Sequence, residues 1–210
     1  MNLSTRTRAV FDEVVESMPG DRWDAPTPCA DWDAQALLAH VRENDHEPGD
    51  LLIHAWDLAV AAGRNLRFDP DLIAEVRPGS DPSAAGEPQA RLLASYGRSE
   101  ALAAVDRFGA AFDAKDVEGI AACMTADGVF ESTAPPDGRR YVGTAAIREV
   151  WREFFADAGD ARFTTESRFV ADDRVVVRWR YDWTGGHVRG VDLFRVREGL
   201  VAEKFSYVKG

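Results

Sequence analysis

Four extended runs close the chain, and the punctuation between them fixes how they can pair. Residues 162–171, 174–183, 187–196 and 200–208 are rich in β-branched and aromatic side chains. Only Asp172-Asp173, Gly185-Gly186 and Glu198-Gly199 mark the breaks between them. Turns this short join antiparallel neighbours, because a parallel crossover takes a dozen residues or more. An antiparallel meander is therefore expected. In 174–183, Val175, Val177, Trp179, Tyr181 and Trp183 alternate with Val176, Arg178, Arg180 and Asp182. One face is apolar and aromatic and the other largely charged, so the apolar face must be covered.

The cover is expected from helices ahead of the meander. Ala101, Leu102, Val105, Phe108, Ala111 and Phe112 fall on one side of a helix over 99–114. A second helix is predicted over 116–124, then a turn at Asp127-Gly128 into a strand over 129–133. A PPDG turn follows, then a helix over 144–156. Helices followed by an antiparallel sheet make this half α+β.

The first half reads as all-α. Val10, Phe11, Val14 and Val15 form a helical stripe that stops at Pro19-Gly20. Asp31 or Asp33 can cap a second helix with Leu37, Leu38 and Val41 inside. Pro48-Gly49 is expected to break it, and Asp50 to open a third helix that ends at Gly63. Short helices are expected over 69–76 and 88–98. The Pro-, Gly- and Ser-rich stretch 77–89 reads as a linker. The organisation expected is 1–76 helical, 77–98 linker and short helix, and 99–210 an α+β domain.

Composition narrows the partners. Lys and Arg number 25 against 36 Asp and Glu, a net charge of -11. Nucleic acid and anionic membrane both need a positive footprint, so neither is expected. No apolar run approaches the roughly 18 residues of a membrane span. The first residues lack the apolar core of a secretory signal, and Cys29 and Cys123 lie far apart. A cytoplasmic protein with reduced thiols is expected.

The run ALAAVDRFGAAFDAKDVEGIAACMTADGVFEST, the helix GTAAIREVWREFF and the end GVDLFRVREGLVAEKFSYVKG resemble the SnoaL-like branch of the NTF2-like superfamily, which also holds the ketosteroid isomerases. The resemblance covers 99–210. It implies a cone of curved antiparallel sheet around helices, with a small-molecule pocket inside and no cofactor. It also implies a homodimer through the outer sheet face. Pocket residues implied are Phe108, Phe130, Ser132, Trp151, Trp179, Tyr181, Trp183, Phe194 and Lys204. The aromatics could instead be plain core.

Asp192 is the candidate catalytic residue. It shares a strand face with Val188, Gly190, Phe194 and Val196. A carboxyl on an apolar face is expected to have a raised pKa, and a protonated one can donate to an oxyanion, the role that the resemblance to ketosteroid isomerases implies for it. The bland alternative is a satisfied structural carboxylate. Two other catalytic positions of those relatives are occupied by Phe108, without a donor, and Ser132, without a base. Glu131 is expected to face out. The resemblance turns Lys204 and Ser206 inward and Tyr207 outward, whereas the local pattern of Val201, Phe205 and Tyr207 suits the reverse unless the outer face is covered. An inward Lys204 would pair with Asp192 and favour the structural reading. His187, Arg140 and Cys123 read as a turn residue, a solvated cation and core.

DRWDAPTPCADWDAQALLAH, DLLIHAWDLAVAAG and PQARLLASYGR resemble a shortened DinB-like, mycothiol-dependent maleylpyruvate isomerase domain. The resemblance implies a metal, often zinc, on His40, Asp50 and His54. The i,i+4 pair on one helix face suits chelation. His46 and Glu43 are alternative ligands. Without a metal, the segment is a helical appendage with Trp23, Trp32 and Trp56 as its core. Three functions follow: an isomerase or cyclase working through Asp192, a non-catalytic ligand-binding or dimerisation module, or a metal-dependent thiol-transfer enzyme.

Overall fold

A computed structural model describes residues 2–77 and 87–209. The chain divides into two compact units, Met1–Ser99 and Glu100–Gly210. Most of the proposed linker lies outside the described residues.

The first unit is all-α. Its helices are α1 (Leu3–Glu16), α2 (Ala34–Glu43), α3 (Pro48–Ala61), α4 (Pro70–Val76) and α5 (Pro88–Ser95). Caps set the starts: Asn2 Oδ1 accepts from the Thr5 amide, and Asp33 Oδ1 from the Ala36 amide, each at 2.8 Å. Phe11, Val14, Leu37, Val41, Leu51 and Leu58 meet in one core, with Trp23 and Trp32 packed on its edge. The buried residues of α3 run almost all round it, including Trp56 and the charged Asp57. Gln89 on α5 is fully buried. Its side chain accepts from the Phe68 amide and donates to the Leu66 carbonyl, both at 2.8 Å, which anchors α5 within this unit.

One boundary corrects the sequence reading. Pro48 does not precede the third helix but opens it, since proline suits a first helical position whose N–H has no partner anyway. Asp50 therefore lies inside the first turn and is not its N-cap. Its carboxylate is hydrogen-bonded to the Tyr96 hydroxyl, whose pKa is raised by burial and then by that carboxylate.

The second unit is α+β. Helices α6 (Glu100–Asp113), α7 (Val117–Ala122) and α8 (Thr144–Asp157) pack on a six-stranded sheet. The strands are β1 (Met124–Glu131), β2 (Arg140–Val142), β3 (Arg162–Ala171), β4 (Arg174–Trp183), β5 (Gly186–Arg197) and β6 (Leu200–Val208), in the order β2-β1-β6-β5-β4-β3. The C-terminal meander is antiparallel throughout, and β1 lies parallel to β6. Glu198 and Gly199 both take positive φ, 53° and 69°, as a two-residue hairpin turn requires.

Two features escape the sequence. Asp127-Gly128 is not a turn ahead of a strand but lies inside β1, where the pairing with β6 slips between Met124 and Val129. The short strand β2 has no counterpart in the sequence reading, which passes from the PPDG turn to the helix at 144. Two slips in the meander matter more. In β3, Thr165 opposes Trp179 and Ser167 opposes Arg178, leaving Glu166 as an extra residue. In β6, Val201 opposes Val196 and Glu203 opposes Arg195, leaving Ala202 extra. Each bulge inverts the in–out parity of the residues beyond it.

Candidate functional site

The inner face of the sheet and helices α6 and α8 enclose a cavity of about 760 Å³. The nine pocket residues named from the sequence and the candidate Asp192 all line it: Phe108 from α6, Trp151 from α8, Phe130 and Ser132 from β1 and its end, and the rest from β4 to β6. Phe112, Phe154 and Phe163 complete an aromatic wall. Several rings meet edge to face, Phe108 with Phe194 at 5.6 Å and Phe163 with Trp179 at 5.0 Å between centroids. Trp179 is buried, Tyr181 half-buried and Trp183 41% exposed, so β4 runs from the cavity floor to its mouth.

Gly190 makes room for the floor. It sits opposite Trp179 in the β4–β5 ladder. A β-carbon there would overlap the Trp179 indole and the Tyr207 carbonyl oxygen. Gly190→Ala is expected to destabilise the unit by about 1–3 kcal/mol, the usual range for overpacking, and to change the near-ultraviolet dichroism of Trp179. An unchanged melting temperature and spectrum would show that the indole has space to retreat.

The polar centre is a buried ion pair. Asp192 Oδ2 lies 2.8 Å from Lys204 Nζ. Lys204 also donates to Ser206 Oγ at 2.6 Å. Its ammonium sits 5.1 Å from the Phe130 ring, 5.6 Å from Phe194 and 5.8 Å from Trp151, within cation–π range. The bulge at Ala202 turns Lys204 and Ser206 inward and leaves Tyr207 exposed, so this parity needs no cover on the outer face. An inward Lys204 paired with Asp192 is the arrangement that the sequence reading set beside a structural carboxylate. A carboxylate held by an ammonium accepts hydrogen bonds and donates none.

Three buried polar atoms on the cavity walls have no hydrogen-bond partner in the described structure: Asp192 Oδ1, Trp151 Nε1 and Trp179 Nε1. Buried polar groups are seldom left unpaired. Ser132 is differently placed. Its Oγ accepts from the backbone amides of Arg139, at 3.1 Å, and Ala134, at 3.4 Å, and so ties the 132–139 loop. Glu131 lies off the cavity, 3.9 Å from the exposed Arg140. His187 is exposed beside the turn. Burial pushes the Cys123 thiol up, in line with a core residue.

Sequence reasoning missed Asp106 and Arg168, an ion pair between α6 and β3 on the cavity wall. Strict alternation from Phe163 and Thr165 sends Arg168 outward. The bulge at Glu166 brings it in, and no sequence signal announces that bulge.

In the first unit, His40, His46 and His54 each bring a ring nitrogen within 4.8 Å of the others. Asp50 does not join them. The His40 pKa is lowered by burial and by the two neighbouring imidazoles. Behind His54 lies Asp57, fully buried, its Oδ2 3.7 Å from His54 Nδ1. Arg98 grips both Asp57 oxygens, at 3.0 and 2.8 Å.

The second unit is an NTF2-like cone: a sheet with its inner face closed by helices around an aromatic cavity. Residues 105–204 match the SnoaL-like domain family. An NTF2-like protein of unknown function from Mesorhizobium loti is 37% identical, the match covering 53% of this chain and 92% of that one, with a TM-score of 0.49. A computationally designed 17-OHP binder is 30% identical over 52% of this chain and 91% of its own, TM-score 0.46. TerC, co-crystallised with polyporic acid, is 21% identical over 53% and 92%, TM-score 0.47. No curated protein matches the chain. The SnoaL-like match lies wholly within the C-terminal unit.

Proposed function

We propose that the C-terminal unit binds a flat, largely apolar organic molecule bearing a hydroxyl or carbonyl oxygen. The observation that supports this most is an aromatic cavity of about 760 Å³ whose buried ion pair keeps a spare acceptor, Asp192 Oδ1. The volume lies within the ordinary range of ligand sites, which are mostly apolar with a few polar groups. The wall rings offer stacking faces. Asp192 Oδ1 accepts from a ligand hydroxyl, and the indole N–H groups of Trp151 and Trp179 suit a carbonyl.

A panel of hydroxylated polycyclic aromatics and quinones tests this by thermal shift. A binder raises the melting temperature progressively with its concentration, by about 2.7 kcal/mol of stabilisation at a hundred times Kd. Asp192→Asn is expected to weaken hydroxyl-bearing ligands about 10- to 100-fold, the cost of a hydrogen bond to a charged group. A panel that never shifts the transition, or one bound equally by the variant, would sink the proposal.

A second reading rests on the same free oxygen. Asp192 could take a proton from a bound ligand, with Lys204 holding the carboxylate in place, and so serve an isomerisation or cyclisation. The ketosteroid isomerase route is not proposed, because Phe108 donates nothing and Ser132 Oγ is held by backbone amides. Turnover of a binding compound by the wild-type protein and not by Asp192→Asn would separate catalyst from binding module. Dimerisation through the outer sheet face is part of this proposal, supported by the exposed Leu193 and Tyr207 there.

A further inference from the structure

We propose that the N-terminal unit binds one zinc-like divalent cation through His40, His46 and His54, with His46 in the place that the sequence resemblance gives to Asp50. His40 lies in the last turn of α2, His54 in mid-α3, and His46 on the segment between them. Among the described residues they are the group whose potential ligand atoms converge. Their ring planes meet at 67° to 83°, edges towards one another, with centroids 4.9 to 5.4 Å apart.

Ring packing alone does not account for the cluster. His46 Nε2 and His54 Nδ1 are buried without a hydrogen-bond partner. Such an atom costs about 1–3 kcal/mol if left unpaired; a metal ion would satisfy His46 Nε2, while His54 Nδ1 faces the Asp57 carboxylate and leaves Nε2 for the metal. Imidazole suits zinc, copper, iron and nickel, and poorly suits magnesium or calcium. Zinc bonds of about 2.0–2.1 Å place tetrahedral ligand nitrogens roughly 3.3 Å apart. From 4.8 Å that closure is about 1.5 Å, a side-chain adjustment.

The surroundings agree. A histidine ligand is commonly oriented by a carboxylate on its other nitrogen. Asp57, held by Arg98, stands 3.7 Å from His54. Asp50 shares the His54 helix face by spacing, but its carboxylate is engaged by Tyr96. Two residues that the resemblance names, His40 and His54, thus converge with His46 and not with Asp50. With three protein ligands, a fourth position is left to water or a substrate atom.

The test uses the whole chain, stripped with chelator, dialysed and given one equivalent of zinc. Native mass spectrometry should show one zinc per chain, and the melting temperature should rise. Competition with a chromophoric chelator then ranks variants. His46→Ala should weaken zinc by at least about 100-fold, beyond the 10- to 100-fold typical of an outer-shell loss. Asp50→Asn should change it less than about threefold. Circular dichroism of each metal-free variant checks the fold, and His46→Gln replaces His46→Ala if the latter unfolds. No zinc bound at one equivalent overturns the site. Zinc kept by the His46 variants, or lost equally in Asp50→Asn, overturns the ligand set.

Discussion

Lys204→Met is expected to lower the melting temperature of the C-terminal unit by more than about 10 °C. Lys204 and Asp192 side chains are only 7% and 12% exposed, and they meet at 2.8 Å. Removing the ammonium leaves a carboxylate among Phe130, Phe194 and Trp151 with no cation beside it. Breaking a buried pair in this way costs about 3–5 kcal/mol. For a unit of this size each kcal/mol moves the midpoint by roughly 4–8 °C. Methionine matches the lysine stem in length and keeps most of the packing, so the loss reports charge. The companion variant is Lys204→Met with Asp192→Leu. Replacing both partners by apolar groups is often neutral or stabilising, so the double variant should recover most of the loss. Calorimetry of the three proteins decides the matter. A Lys204→Met unit as stable as wild type would mean that water reaches Asp192, and the cavity would then be far wetter than its lining implies.

Arg98→Met should open the N-terminal unit by a similar amount. Asp57 is fully buried in the middle of α3, and Arg98 closes a two-point bridge onto it. The bond to Asp57 raises the Arg98 pKa above its usual value, so the guanidinium stays charged under any ordinary condition. Without it, the nearest cation candidate is His54, 3.7 Å away. The expected cost is again about 3–5 kcal/mol. Because the chain has two units, a single unfolding free energy is not well defined. Amide hydrogen exchange resolved by peptide is the suitable measurement, since local opening energies appear element by element. Peptides of α3 and α1 should exchange faster, and β3 to β6 should not change. Equal exchange in wild type and variant would show that Asp57 finds another partner.

The parts legible in the sequence are those set by short-range patterning. The meander followed from three breaks of two or three residues and from the alternation around Trp179. The pocket walls followed from that alternation and from the resemblance to SnoaL-like proteins. What the sequence hid are events that alternation does not encode. Glu166 and Ala202 look like ordinary strand residues, yet each is an extra residue that reverses the pattern beyond it. That is why Arg168 went unnoticed. It is also why the apolar spacing of Val201, Phe205 and Tyr207 pointed the wrong way. In the first unit, helix spacing favoured Asp50 with His54, whereas His46 lies on a connection whose path no periodicity describes. No local pattern singles out Asp57, because its partner Arg98 is 41 positions away.

The bulge at Ala202 bears on how such a pocket can change over generations. Deleting that one residue would only straighten the strand: Glu203 would follow Val201 directly, still opposite Arg195, and Lys204 and Ser206 would stay inside. Deleting Glu203 instead, with the bulge kept, would send Phe205 and Tyr207 to the interior and Lys204 and Ser206 to solvent. The chemical character of the chamber is thus set by how many residues the strand contains as much as by which ones. A single in-frame codon loss past the bulge could exchange a charged interior for an aromatic one, a jump that would otherwise take several point substitutions.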